Sequence, residues 1–156
     1  MARKPITETL REVHSDLWVS DQDSAQLMGD DFRCVLDCTG RNYHFPNTVN
    51  VVPTGTTNHT WTEDDLDRIV RIAVGMLQHG PVLIHCRRGV SRSACAAAAV
   101  ILALGEADGI VSALEKTRFE DQKISVHSKA GLRRWWAARQ NDLQELLPFG
   151  AAQEVA

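Results

Sequence analysis

Between Val82 and Ala94 the chain reads VLIHCRRGVSRSA: an apolar run, a histidine, a cysteine, then three arginines and two serines around a glycine. An inert structural thiol wants apolar neighbours, whereas a reactive thiolate is found beside cations and inward-turned backbone N–H groups. After Cys86, the residues Arg87, Arg88, Gly89, Val90, Ser91 and Arg92 can offer both. Gly89 permits backbone geometry that other residues resist, and the start of a following helix adds positive potential, so this loop suits an anion. The planar fork of Arg92 matches two oxygens of a phosphate, which a lysine cannot do. Ser93 can donate a hydrogen bond to the sulfur when it departs as thiolate, and His85 can orient the loop through its ring nitrogens. Together these groups are expected to depress the Cys86 pKa below the ~8.5 of a free thiol. The chemistry on offer is nucleophilic attack on a bound oxyanion.

Such a loop needs a strand before it and a helix after it. PVLIHC (81–86) has the continuous apolar character of a strand buried on both faces, and SRSACAAAAVILAL (91–104) reads as an alanine-rich helix that lies close to its neighbours. Upstream, DLWVS (16–20), FRCVLDCT (32–39) and VNVVP (49–53) read as strands, with a short helix around DSAQLMG. Residues 63–78 form an amphipathic helix, with Thr62 as N-cap and Asp65 three residues on. DGIVSALEKTR (108–118) and residues 128–147, divided near Asn141, supply two more helices. The expected fold is therefore α/β, a central, mostly parallel, twisted sheet of four to five strands with helices on both faces. In such a sheet the ligand site lies beyond the carboxyl ends of the strands, where Cys86 falls.

The 156 residues, 44% of them hydrophobic, fit one domain over 1–156, with a core at about 12–140 and a helical tail at 141–156. A net charge of −3 gives no general attraction for nucleic acid, so any affinity for anions must be local. The N-terminal MARKPITETLREV has no apolar core of signal-peptide length and no window is long enough to span a membrane, from which a cytoplasmic protein is expected. Cys34, Cys38, Cys86 and Cys95 include no C-x-x-C pair, so neither a metal nor another cofactor is expected, and four thiols in a reducing compartment are. LRRWWAARQ (132–140) is read as a helix that docks its aromatic side chains on the core and leaves arginines in water.

HCRRGVSRS resembles the H-C-x-x-G-x-x-R-S/T signature of the cysteine-dependent protein tyrosine phosphatases, and its size and wording are most similar to the dual-specificity subgroup. LWVSDQDSAQ and FRCVLDCT resemble that subgroup's opening strand and helix and the next strand. The resemblance implies that Cys86 attacks phosphorus, residues 87–92 hold the equatorial oxygens, and water hydrolyses a cysteinyl-phosphate. It implies a phosphorylated protein or small phosphomonoester as substrate; phosphotyrosine, phosphoserine, phosphoinositide and RNA 5′-phosphate all satisfy the same loop.

One expected part is missing. The family's general acid is an aspartate about thirty residues before the cysteine. Here positions 54–58 read Thr54, Gly55, Thr56, Thr57 and Asn58. The substitutes are Asp64, taken first with Asp65, then His59; Asp121 is more remote. A phosphate-binding module without turnover is the alternative. Finally, if FRCVLDCT lies beside PVLIHC, Cys38 and Cys86 share one sheet edge, where Cys38 is either core packing or a partner that traps oxidised Cys86 as a disulfide.

Overall fold

The computed structural model describes residues 9–40, 46–55 and 60–147. Its sheet has five strands, β1 (Arg11–His14), β2 (Leu17–Ser20), β3 (Cys34–Asp37), β4 (Thr48–Asn50) and β5 (Val82–His85), in the order β1-β2-β5-β3-β4. β1 and β2 form an antiparallel hairpin, and every other pairing is parallel. β5 is the central strand. All four of its residues are buried, as the apolar run VLIH requires.

The helices are α1 (Gln22–Met28), α2 (Glu63–Leu77), α3 (Arg92–Ala103), α4 (Ile110–Thr117) and α5 (Val126–Arg139). Side chains alternate across the strands, so Val35 and Leu83 point to one face and pack with Ala25 of α1, Trp18 and Phe32. Leu17, Val19, Leu36, Val82 and Ile84 point to the other face and join α2, α3 and α5 in the main core. The α/β sheet covered on both faces is thus the fold that alternating strands and helices imply. α3 is apolar all round and buried from Ser93 to Ala103, enclosed by the sheet, α2, α4 and α5.

Boundaries move by one to a few residues from those expected. The C-terminal segment divides near Asn141 as expected: α5 ends at Arg139, and a separate 3-10 turn, Leu143–Leu146, returns Leu146 to the core. The expected tail at 141–156 therefore includes residues that belong to the core, and residues 148–156 lie outside the described residues. β1 has no counterpart among the expected strands. It pairs with β2 across a two-residue turn in which Asp16 has φ 62°, and its register shifts between Glu12 and His14.

In LRRWWAARQ, Trp135 is fully buried while Arg133 and Arg134 are exposed. The Trp135 Nε1–H donates to Asp67 Oδ1 of α2 at 2.9 Å, and Arg139 donates to the same carboxylate from Nε and Nη2 at 3.1 and 3.0 Å. This buried carboxylate clasps α2 to α5. Asp67→Ala would leave the indole N–H without its acceptor, and should lower unfolding stability by about 2 kcal/mol or more in urea titration.

Candidate active site

Ser20 of β2 and Asp37 of β3 stand abreast of His85 on β5. The next residue on each strand, Asp21, Cys38 and Cys86, therefore lies at the same carboxyl edge of the sheet. Cys38 and Cys86 do share that edge, as adjacency of the two strands predicts: the Cys38 N–H donates to the His85 carbonyl at 2.9 Å.

From Cys86 the chain turns through residues 87–91 into α3. The Cys86 thiol is only 3% exposed and lies 3.1 Å from the hydroxyl of Ser93, in the first turn of α3. Ser91 occupies the N-cap of α3, but its hydroxyl does not cap that helix; it accepts from the Ser125 N–H at 2.9 Å. The loop is thereby tied to the start of α5. Arg92 Nη1 donates to the Cys38 carbonyl at 3.1 Å, which holds the guanidinium over the sheet edge.

Gly89 has φ +73°, and a Cβ there would lie 2.7 Å from the backbone of Ser20 and Asp21, so conformation and space both demand glycine. The loop carbonyls are held from outside. Arg87 O accepts from the Gln22 N–H at 3.2 Å, and Gly89 O accepts from Arg11 Nη2 at 3.0 Å. The side chains of Arg87 and Arg88 are exposed, so what these two residues bring to the loop is backbone.

His85 is fully buried, with Nε2 3.5 Å from Asp37 Oδ1. Asp37 in turn accepts from the N–H and hydroxyl of Thr39 at 2.7 and 2.6 Å. Burial lowers the His85 pKa against the opposing pull of Asp37, which favours the neutral ring. Cys38 and Cys95 are fully buried, and desolvation pushes both thiols up, Cys95 to about 12.

Cys86, His85, Arg92 and Ser93 are thus brought together, while the carboxylates upstream sit elsewhere. Asp65 is a structural clasp: Oδ2 accepts from the N–H groups of Thr54 and Thr62 at 2.8 and 2.9 Å, and Oδ1 from the Thr54 hydroxyl at 2.8 Å. The Gly55 N–H donates to the Thr60 carbonyl at 2.9 Å. Trp61, fully buried, follows it and donates from Nε1 to the Arg92 carbonyl at 3.3 Å. Asp64 is exposed in the first turn of α2, where its charge acts on Arg139 at the far end of α5 from Ser125. His59 lies outside the described residues. Asp121 is fully exposed, 3.9 Å from Arg118.

No protein-family model and no curated protein matches the sequence. Solved structures do. Human DUSP28 superposes with a TM-score of 0.70 at 14% identity, over 88% of this chain and 97% of that one. The chain has the dual-specificity phosphatase fold. DUSP15 superposes at 0.69, with 17% identity over 88% and 94% of the two chains. The human tyrosine phosphatase-like serine/threonine/tyrosine-interacting protein does so at 0.64, with 16% identity over 83% and 96%. This fold sets the cysteine loop between the carboxyl end of the central strand and the start of α3.

The depressed His85 pKa carries a sign. Between its folded value and the ~6.5 of an unfolded chain, the unfolded state binds the extra proton, so stability is complete above ~6.5 and lost as pH falls through that interval. Urea titrations from about pH 7.5 to 5.5 should show a decline of up to ~1.4 kcal/mol per pH unit, and His85→Gln should flatten it.

Proposed function

We propose that the protein hydrolyses phosphomonoesters through a cysteinyl-phosphate, most naturally as a protein tyrosine or dual-specificity phosphatase. The observation that carries this reading is the Cys86 thiol, 3.1 Å from Ser93 Oγ at the floor of a loop that opens α3. The sulfur of Cys86 attacks phosphorus while the backbone N–H groups of residues 87–92 and the fork of Arg92 hold the equatorial oxygens. As the phosphorus–oxygen bond breaks, the leaving oxygen takes a proton. Water then attacks the cysteinyl-phosphate, releasing phosphate and returning the sulfur as a thiolate to which Ser93 donates. His85 holds its place through Asp37 and acts on the loop from beneath it. Phosphoinositides and RNA 5′-phosphates would meet the same loop, and a phosphorylated protein side chain is the reading that the resemblance of HCRRGVSRS favours.

A second reading has its own observation. Positions 54–58 hold no carboxylic acid, and the Asp65 carboxylate is occupied by three hydrogen bonds. A chain that binds phosphate and turns it over poorly would look the same, since loss of a general acid lowers rate about 10²- to 10⁴-fold while leaving the oxyanion loop intact. A p-nitrophenyl phosphate assay separates the two.

Turnover should persist in EDTA, be inhibited by vanadate and vanish in Cys86→Ser; an undiminished rate in the serine variant would remove the covalent intermediate. Arg92→Lys should lose far more than half the rate, because a single ammonium cannot grip two oxygens in a plane. For the proton donor, the sequence offers Asp64 and Asp65 first and His59 after them; with Asp65 held by its capping bonds and Asp64 turned toward Arg139, His59 is the residue proposed. On a substrate with a poor leaving group, His59→Gln should flatten the basic limb of the pH–rate profile and slow turnover by about 10² or more, whereas Asp64→Asn should leave both unchanged. An unchanged profile in both would leave neither as the acid.

A further inference from the structure

Arg11 is a charged residue of an edge strand, yet its side chain turns inward. Its Nη1 donates to the Thr9 carbonyl at 2.7 Å, and its Nη2 donates both to the Thr117 carbonyl at the end of α4, at 2.7 Å, and to the Gly89 carbonyl, at 3.0 Å. Its guanidinium also lies 5.2 Å from the centroid of the Phe119 ring. A surface strand needs none of this. Three carbonyls from three separate parts of the chain meet one planar cation, and one of them belongs to the cysteine loop.

The geometry of the peptide bond gives that contact its meaning. In a planar trans peptide the C=O of one residue and the N–H of the next point in opposite directions. Fixing the Gly89 carbonyl toward Arg11 therefore fixes the Val90 N–H away from it. The Gln22 N–H does the same for the preceding part of the loop, holding the Arg87 carbonyl and so directing the Arg88 N–H. Arg87 is held by a neighbouring backbone N–H, which only a proline at position 22 would remove; Gly89 is held by a side chain.

We propose that Arg11 is a positioning residue of the phosphate loop, a clamp that orients the Val90 N–H for oxyanion binding by holding the Gly89 carbonyl from behind. This rests on residues 86–92 being an oxyanion loop, as argued above. Burial supports it: desolvation draws the Arg11 pKa down to about 10, which still leaves the guanidinium charged at neutral pH. Without the clamp, the Gly89–Val90 peptide is free to rotate and the loop must be ordered by the anion itself, at a cost in affinity.

Tungstate, a tetrahedral oxyanion that is not turned over, tests the clamp without catalysis. Calorimetric titration at pH 7 should show Arg11→Met binding tungstate about ten- to a hundredfold more weakly than wild type, the equivalent of one or two hydrogen bonds to a charged group. Arg11→Lys should fall between the two, because one ammonium cannot serve Thr9, Gly89 and Thr117 at once. Val13→Ala, which thins the core contact of the same strand, controls for simple loosening of β1: at a comparable drop in Tm it should bind tungstate within about twofold of wild type. Tungstate binding by Arg11→Met within about threefold of wild type, or an equal loss in Val13→Ala, overturns the clamp. Should Arg11→Met fail to fold, Arg11→Lys decides, and wild-type affinity in that variant overturns it. Wild type that binds no tungstate removes the oxyanion loop itself, and the clamp with it.

Discussion

A strand with parallel partners on both sides and helices over both faces has no free edge and no wet surface, and Val82–His85 is that strand. The residue that follows it can only emerge at the carboxyl edge, between the ends of β2 and β3. Every other feature of the site answers to this. Cys86 emerges there as a nearly buried thiol, the following peptides must turn at once into α3, and α3 can dive beneath the sheet only because its first turns carry serine and alanine. Larger side chains would hold the helix off the sheet and lift Ser93 away from the sulfur it faces.

A loop that presents N–H groups to an anion has to place the opposing carbonyls somewhere, and an unpartnered buried carbonyl is costly. The sheet edge supplies the partners. The junction of β2 and α1 takes the Arg87 carbonyl and leaves space only for a glycine at position 89, while β1 reaches across with Arg11. The second support comes from α5, through Ser125 and Ser91, and a third from Trp61, which bonds the Arg92 carbonyl. The site is thus framed by elements drawn from most of the chain, which is how a loop of a few residues keeps one shape.

What could be read from residue order alone follows the range of the interactions. The Thr62–Asp65 capping box spans three residues and was readable as a pattern; so was β5, whose burial on both faces leaves an unbroken apolar run. The cysteine loop was legible because its parts are contiguous. β1 was not, since REVH offers one aliphatic residue and gains its strand character from pairing across Ser15 and Asp16. With β1 unseen, Arg11 had no reason to be considered: its partner Gly89 lies 78 residues away, and the core expected from the sequence begins only at about residue 12. The sole signal was an arginine spaced two residues from Val13 before a Ser-Asp turn, too common a pattern to single it out. Asp65 shows the converse. Its pairing with Thr62 was visible, but the bonds from Thr54 join residues eleven apart in sequence.

The two outer strands bear on how the chain meets copies of itself. A sheet edge is a row of unpaired N–H and C=O groups that can template another strand, and long flat edges invite stacking into ordered aggregates. Here one edge is β4, three residues long, and the other is β1, four residues long and broken by the register shift between Glu12 and His14. An irregular, charged edge of that length offers an incoming strand no continuous ladder. The short, irregular strand that carries Arg11 thus also blunts the sheet against edge-to-edge growth.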